Sequence, residues 1–319
     1  MGLRIAVIID APHADASAAR TGARLADALV GEGHEPTVLV ADATLAGALR
    51  DLRPTVALLA TGPAAARAHA PQSLLEYLRV PYVGTSARMC ALAGDRVALA
   101  RALEVAAQAG PVEATAPAGV TMSAQALREL GGLDVLDLVG ERVPGGYPVV
   151  ARPARGAHGV GVTKVEAPEG LRAAVERAAE ADDDVLVQQW VDGRELSVCV
   201  LGDGEDVGVL PPVGVARDAH GSASSFEPVR MAELADDVAD AEAARSQIER
   251  DALDAFYACG ARDLARIDLI WDGARSRVIG VDVAPSLAEG AVLDVALRAA
   301  GLDLGEVLDE LVTGAASRG

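Results

Sequence analysis

Arg266-Ile-Asp268 and Asp282-Val-Ala284 lie on either side of Asp272-Gly273, in two runs where polar and apolar residues alternate. Alternation around an Asp-Gly turn reads as a β-hairpin. Period-two geometry then puts Arg266 and Asp268 on one face of the first strand and Asp282 and Ala284 on one face of the second. With the turn centred near Arg275, Asp268 is expected to stand opposite Asp282. Two carboxylates paired directly across a hairpin, with Cβ atoms ~5 Å apart, repel unless a cation lies between or beside them. A divalent ion answers that conflict. An oxygen-only donor set suits Mg²⁺, which keeps several waters and commonly joins protein carboxylates to nucleotide phosphates. Spacing alone leaves two other readings open: a register that differs by one, or carboxylates that both face water.

A second candidate is the segment Arg152-Pro-Ala-Arg-Gly-Ala-His-Gly-Val-Gly161, a glycine-rich turn between two predicted strands, flanked by Arg152 and Arg155. Glycine lets backbone N–H groups approach an anion, and guanidinium forks match phosphate oxygens. Hairpin tips of this composition also occur where no phosphate binds. His158 within it is either a proton carrier or an ordinary exposed polar residue. Trp190-Val-Asp-Gly-Arg-Glu-Leu-Ser197 sets Glu195 at a strand start, where a plain acidic turn is the simplest interpretation. Ser, Cys and His are nowhere spaced for covalent catalysis, and no nucleophile elbow occurs.

The elements that must position these residues follow from periodicity. The apolar run 5–9, a helix over 17–30 and further strands at 38–40 and 56–60 predict a parallel βαβαβ layer in the first ~85 residues. No G-x-G-x-x-G follows the first strand, so a dinucleotide cofactor is not supported. A helix over 89–109 is expected next, then strands at 147–152 and 160–165 around the glycine-rich turn. A helix at 171–181 and strands at 185–190, 195–201 and 207–213 come after it. Residues 216–227 read as an irregular loop and 235–258 as a long amphipathic helix. Strands at 265–271 and 277–283 form the late hairpin, and helices close the chain.

The chain has 319 residues, with 28 Lys and Arg against 47 Asp and Glu and a net charge of −19. That length suggests about two compact units, and the acidity argues against a nucleic-acid partner. Lys164 is the single lysine, so a lysine-dependent motif must appear in arginine form or be lost. Cys90, Cys199 and Cys259 are too widely spaced for a disulfide framework or a zinc site and read as buried small hydrophobes in a reducing compartment. No run reaches the ~20 apolar residues of a membrane span, so the expectation is a soluble, cytoplasmic protein with no membrane partner.

Five segments in order resemble the D-alanine–D-alanine ligase family of the ATP-grasp superfamily. Gln72-Ser-Leu-Leu-Glu-Tyr-Leu-Arg-Val-Pro-Tyr-Val-Gly-Thr-Ser86 is similar to Q-G-L-L-E-x-L-x-I-P-Y-T-G-S. Pro148-Val-Val-Ala-Arg-Pro-Ala-Arg155 with Gly159-Val-Gly-Val-Thr-Lys-Val165 resembles P-V-x-V-K-P-x-x-x-G-S-S-x-G-V-x-x-V. Val185-Leu-Val-Gln-Gln-Trp-Val-Asp-Gly-Arg-Glu-Leu-Ser-Val198 resembles V-L-V-E-x-x-x-x-G-x-E-x-x-V. The last two are Ala265-Arg-Ile-Asp-Leu-Ile270, similar to A-R-x-D-x-x, and Asp282-Val-Ala-Pro-Ser286, similar to E-x-N-x-x.

The resemblance implies a mixed α/β and α+β fold: a Rossmann-like N-terminal domain (1–88), then an ATP-grasp subdomain with the glycine-rich loop (89–184) and a C-terminal ATP-grasp subdomain with the metal hairpin (185–319). It also implies an ATP- and Mg²⁺-dependent ligase that forms an amide between small amino acids through an acylphosphate. By position, Arg96, Arg152, His158 and Gly159 would contact phosphates. Gln188, Gln189 and Val191 would meet adenine, and Glu195 the ribose. Asp268 and Asp282 would hold Mg²⁺, and Arg266 would stabilise the oxyanion. Family members commonly form dimers, so a homodimer is implied as well.

Departures from the family pattern are concentrated on the substrate side. Ala284 stands where the family has an Asn metal ligand, Asp282 replaces a longer Glu, and Asp15 is the nearest candidate for a missing N-terminal Glu. Arg96 and Arg152 replace lysines, and His158 and Gly159 replace loop serines. The G-E-D-G element has become Ala64-Ala-Ala-Arg67, and the Y-D-Y-x-x-K-Y loop is reduced to Ser225–Arg230. Two functions therefore stand side by side: a ligase whose substrates need not be D-alanine, and a catalytically impaired protein that keeps the scaffold for nucleotide binding or regulation.

Overall fold

A computed structural model describes residues 2–10, 16–61, 69–110, 112–123, 125, 139, 142–156, 159–204, 206–217, 223–235 and 237–318. The first sheet is parallel throughout, in the order β2-β1-β3-β4, from β1 (Arg4–Ile9), β2 (Glu35–Val40), β3 (Val56–Ala60) and β4 (Tyr82–Val83). Every residue of β1 from Ile5 to Ile9 is buried because helices cover both faces. Ile5, Val7 and Ile9 pack with Leu25 and Leu29 of α1 (Ala16–Gly31) and with the C-terminal helix. Ala6 and Ile8 pack with Leu45 and Leu49 of α2 (Leu45–Leu52) and Leu75 of α3 (Ala70–Leu78). This two-sided burial is why the strand is a continuous apolar run and does not alternate.

The expected helix over 89–109 is two helices, α4 (Ala87–Ala93) and α5 (Arg96–Ala109). Asp95 breaks them apart: its backbone is extended and its carboxylate accepts from the N–H groups of Val97 (2.9 Å) and Ala98 (3.1 Å), an N-cap that starts a new helix. The second sheet is antiparallel, in the order β5-β8-β6-β7, from β5 (Gly119–Ser123), β6 (Val149–Pro153), β7 (Thr163–Val165) and β8 (Asp184–Gln189). Leu171, Ala174, Val175 and Ala178 of α6 (Leu171–Ala179) pack against it. Gly119 faces Gln188, and a Cβ there would come within 2.6 Å of the Val187 carbonyl oxygen, so the strands approach where only glycine fits.

The third sheet runs β12-β11-β9-β13-β14, with β10 paired on β9. Its strands are β9 (Arg194–Asp203), β10 (Asp206–Val209), β11 (Val213–Arg217), β12 (Ala223–Pro228), β13 (Asp263–Trp271) and β14 (Ser276–Asp282). The strand expected at 207–213 is therefore two, and β11 and β12 occupy both ends of the segment read as irregular. Fully buried Phe256 anchors α7 (Val238–Ala258) over this sheet, a contact worth about 3–5 kcal/mol on truncation to alanine. Helices α8 (Val292–Ala300) and α9 (Leu304–Ala316) complete the chain.

Asp263 fixes the start of β13. Its backbone is left-handed (φ +64°), its carboxylate accepts from the Gly84 N–H at 2.7 Å, and Arg318 forks it at 2.6 and 2.9 Å. The strand that carries Arg266 and Asp268 is thus tied to the first sheet and to the C-terminal end of α9.

Candidate functional site

The hairpin register corrects the expected pairing. Arg266 lies opposite Asp282, and Asp268 lies opposite Gly280. The turn is tighter than an Arg275 centre allows, because Asp272 Oδ1 accepts from the N–H groups of Ala274 (2.9 Å) and Arg275 (2.7 Å); a bulge then shifts the strands between Asp268 and Leu269. Both carboxylates nevertheless share a face, and the cation between them is Arg266. Its guanidinium forks Asp268 at 2.8 and 2.9 Å and reaches Asp282 at 3.4 Å. Burial works against its charge, but the two carboxylates more than offset this and raise its pKa. Ser197, opposite Asp268 on β9, donates to that carboxylate at 2.7 Å, and the Ala284 N–H donates to Asp282 at 3.1 Å.

The two arginines of the glycine-rich turn do different work. Arg155 meets Asp182 and Asp184 at 2.9 Å and Asp95 at 3.4 Å, which pins the loop to β8 and to the start of α5. Arg152 has no such partner among the described residues. It is 8% exposed, its Nε has no hydrogen bond, and burial, with the Arg96 charge second, pulls its pKa well below the usual arginine value. Arg96 leans on the same loop, donating to the carbonyls of Pro153 (3.2 Å), Ala154 (3.4 Å) and Gly156 (2.9 Å); its Nε is also buried without a partner. Two like charges are therefore held together inside the protein, with Glu195 and Asp268 the acidic groups that act on Arg152. Gly159 and Gly161 turn the chain in the left-handed region (φ +75° and +74°), as their positions in the loop require.

Gln188, at the end of β8, is 2% exposed. Its Nε2 donates to the Pro117 carbonyl at 2.9 Å, while its Oε1 is buried without a partner. The Gln189 N–H donates to Ala118, and Val191 is half-buried. Lys164 sits 4.7 Å from the centre of the Trp190 ring at the same strand end. Glu195 is held by Arg217, whose Nε donates at 2.6 Å and whose Nη2 reaches the other carboxylate oxygen.

Arg96, Arg152, Glu195, Arg266, Asp268 and Asp282 thus form one electrostatic neighbourhood across two sheets. Asp15 and His158 lie outside the described residues, as does the segment 64–67. Ser197 and Arg217 join the site without having been singled out. Ser197 shares the β9 face of Glu195, a relation visible in the Glu195-Leu-Ser197 alternation, whereas Arg217 falls in the stretch that reads as irregular. All three cysteines are buried and free, and burial pushes each thiol up to about 12.

The family model described as "D-ala D-ala ligase C-terminus" matches residues 137–313. A protein named D-alanine–D-alanine ligase from Desulforudis audaxviator (strain MP104C) is 30% identical over 299 residues, covering 92% of each chain. Among solved structures, the D-alanine–D-alanine ligase from Bacillus anthracis complexed with ATP superposes with a TM-score of 0.76 at 20% identity, covering 99% of this chain and 98% of that one. The VanG D-Ala:D-Ser ligase from Enterococcus faecalis gives 0.73 at 16% identity over 98% and 99%. Matched over most of its length in sequence and nearly all of it in fold, this chain belongs to the D-alanine–D-alanine ligase family.

Proposed function

We propose that the protein is an ATP-dependent ligase that joins the carboxylate of one small amino acid to the amine of another. The observation that carries this is the pair of half-buried Arg96 and buried Arg152, each with a buried, unpartnered Nε, beside a loop with left-handed glycines. Guanidiniums without a carboxylate partner among the described residues are costly to bury, and a polyphosphate would supply that anion. The unpartnered Gln188 Oε1 at the end of the same sheet suits an adenine amino group.

Arg96 and Arg152 would grip the phosphates, Gln188, Gln189 and Val191 would border the base, and Glu195 would leave Arg217 for the ribose hydroxyls. A substrate carboxylate oxygen bonds to the γ-phosphorus as the bond to ADP breaks. The amine then bonds to the acyl carbon, phosphate leaves with its C–O bond, and the surplus amine proton passes to solvent. Arg266 would stabilise the oxyanion at that carbon.

The donor set suits a Mg²⁺ ion that keeps waters and shares phosphate oxygens, because Asp268 and Asp282 share one face of the hairpin on either side of Arg266, whose single charge leaves them net negative. Among the described residues no cluster of three or more His, Cys, Asp or Glu offers a full protein cage. Asp268 and Asp282 would hold the ion, which when bound screens the polyphosphate charge. Ala284 adds no ligand. The binding-only alternative has less in its favour, since Arg266, Asp268 and Asp282 all remain on one face.

The same reading takes the first sheet as a Rossmann-like domain (1–88), followed by two ATP-grasp subdomains (89–184 and 185–319). It also takes the protein as a cytoplasmic homodimer. Among the described residues no helix is long and apolar enough to cross a membrane. Titration calorimetry with a non-hydrolysable ATP analogue, with and without Mg²⁺, tests the reading. Binding that strengthens with Mg²⁺ supports it, and no binding in either condition overturns it.

A further inference from the structure

Arg217, at the end of β11, shares a sheet face with the groups proposed for the ribose and the metal. Ser197 of β9 stands opposite Val213 of β11 on one side and Asp268 of β13 on the other, so Glu195, Ser197 and Asp268 lie on one face together with Arg266 and Asp282. Period-two alternation from Val213 carries Arg217 to that face as well. Its fork on Glu195 agrees: Nε donates to one carboxylate oxygen at 2.6 Å and Nη2 donates to the other. After Glu195, the carboxylate that acts on Arg217 is Asp268, and the Arg266 charge opposes it. Arg217 is thus held by the residue proposed for the ribose, with the residue proposed for the metal as its next acidic neighbour.

Ribose binding would upset this arrangement. Hydroxyls that bond to Glu195 compete for the two oxygens that Arg217 now occupies. The Arg217 side chain is 39% exposed against 19% for Glu195, so the guanidinium has room to swing away. Asp268 is poorly suited to receive it. One of its oxygens already accepts from Ser197 and Arg266, the other accepts from Arg266, and a second guanidinium would be repelled by the first. The anion that would lie between a ribose at Glu195 and a metal at Asp268 is the polyphosphate, whose oxygens match a planar guanidinium fork.

We infer that Arg217 is a phosphate-binding residue, which exchanges Glu195 for the terminal phosphoryl group when the ribose of ATP takes Glu195. Arg96 and Arg152 would hold the phosphates from the side of the glycine-rich loop, and Arg217 from the third sheet. This rests on the ligase reading of the site. As the phosphoryl group passes from ADP to the substrate carboxylate, the guanidinium keeps its bonds to the phosphoryl oxygens and transfers no proton. ADP, which lacks the terminal group, would break the Glu195–Arg217 fork and return nothing to Arg217.

The test is titration calorimetry of the full chain, in Mg²⁺, with ADP and with a non-hydrolysable ATP analogue. The parent should favour the triphosphate by about tenfold or more, as a charge-assisted contact provides. Arg217→Ala loses that contact but also releases Glu195, so analogue affinity should fall about fivefold while ADP affinity stays level or rises. The preference for the triphosphate therefore drops about fivefold or more, and Arg217→Lys, which keeps a cation, should restore part of it. Arg217→Gln serves if the alanine variant folds poorly. Glu195→Gln weakens the fork and leaves Arg217 in place, so it should keep the parent's preference for the triphosphate. An Arg217 that only orients Glu195 would change both nucleotides equally. That result, a parent without preference, or a Glu195→Gln variant that loses the preference as Arg217→Ala does would overturn the inference and leave the ligase reading standing. Absence of binding by either nucleotide would instead remove the reading beneath it.

Discussion

Arg266 stands directly opposite Asp282 across the β13–β14 hairpin and at the same time forks Asp268, two residues along its own strand. One side chain thereby contacts both carboxylates proposed to hold the metal, its single charge leaving the trio net negative, and it is the group proposed to meet the oxyanion. Its removal should act on stability and on chemistry in opposite metal conditions. Arg266→Ala is expected to lower product formation about 10²–10³-fold, the usual loss for an oxyanion-stabilising group, with ATP-analogue affinity nearly intact. It should also lower Tm without Mg²⁺ and regain most of that loss when Mg²⁺ is added. Turnover and thermal unfolding with and without the ion check both parts, and undiminished product would remove Arg266 from the mechanism.

Arg152 should show the reverse balance between stability and binding. Its charge is buried beside Arg96 with no ion-pair partner among the described residues, so Arg152→Met is expected to leave the nucleotide-free Tm equal to or above that of the parent. ATP-analogue affinity should fall at least about tenfold, since a charge-assisted contact is lost. A lower Tm with unchanged affinity would make Arg152 a structural residue.

The Glu195–Arg217 pair is half-exposed, and such pairs contribute only about 0–1 kcal/mol. It is therefore a weak latch. Arg217→Ala should change ATP-analogue affinity by no more than about fivefold, whereas Glu195→Gln should reduce the preference for ATP over 2′-deoxy-ATP. Titration of the two nucleotides into each variant decides the matter, and a preference that survives Glu195→Gln would place the ribose elsewhere.

Asp251 on α7 is 3% exposed and accepts hydrogen bonds from Gln247 (3.0 Å) and from Ser276. Burial raises its pKa despite those bonds. A carboxyl whose folded pKa lies above its unfolded value, about 3.9, contributes most below that value and loses the contribution as pH rises through the folded one. Asp251→Asn should therefore match the parent near pH 4 and exceed it in Tm near pH 8. Equal Tm differences at both pH values would show that Asp251 is not held protonated by its surroundings.

Much of the frame is legible in the amino-acid order because burial writes itself into it. Residues 5–9 and 56–60 read as strands since helices cover both their faces, and the Arg266/Asp268 face follows from period-two alternation. The register does not, because an Asp272 side-chain turn and a bulge beyond Asp268 each move the pairing without altering the hydrophobic pattern. Arg152 and Arg155 look alike in sequence; only the approach of Asp182 and Asp184 at the start of β8 makes one a clamp and leaves the other without an ion pair among the described residues. The break at Asp95 is hidden within an alanine-rich helical pattern.

The central claim is turnover, and the most direct measurement is phosphate release from ATP by the purified chain with Mg²⁺ and pairs of small amino acids, with the products weighed by mass spectrometry. The account predicts release that requires both ATP and amino acids, together with a dipeptide mass equal to the two amino acids less one water. ATP-analogue binding with neither phosphate release nor dipeptide across both enantiomers of alanine, serine, asparagine and glycine would contradict it and identify a nucleotide-binding protein without ligase chemistry.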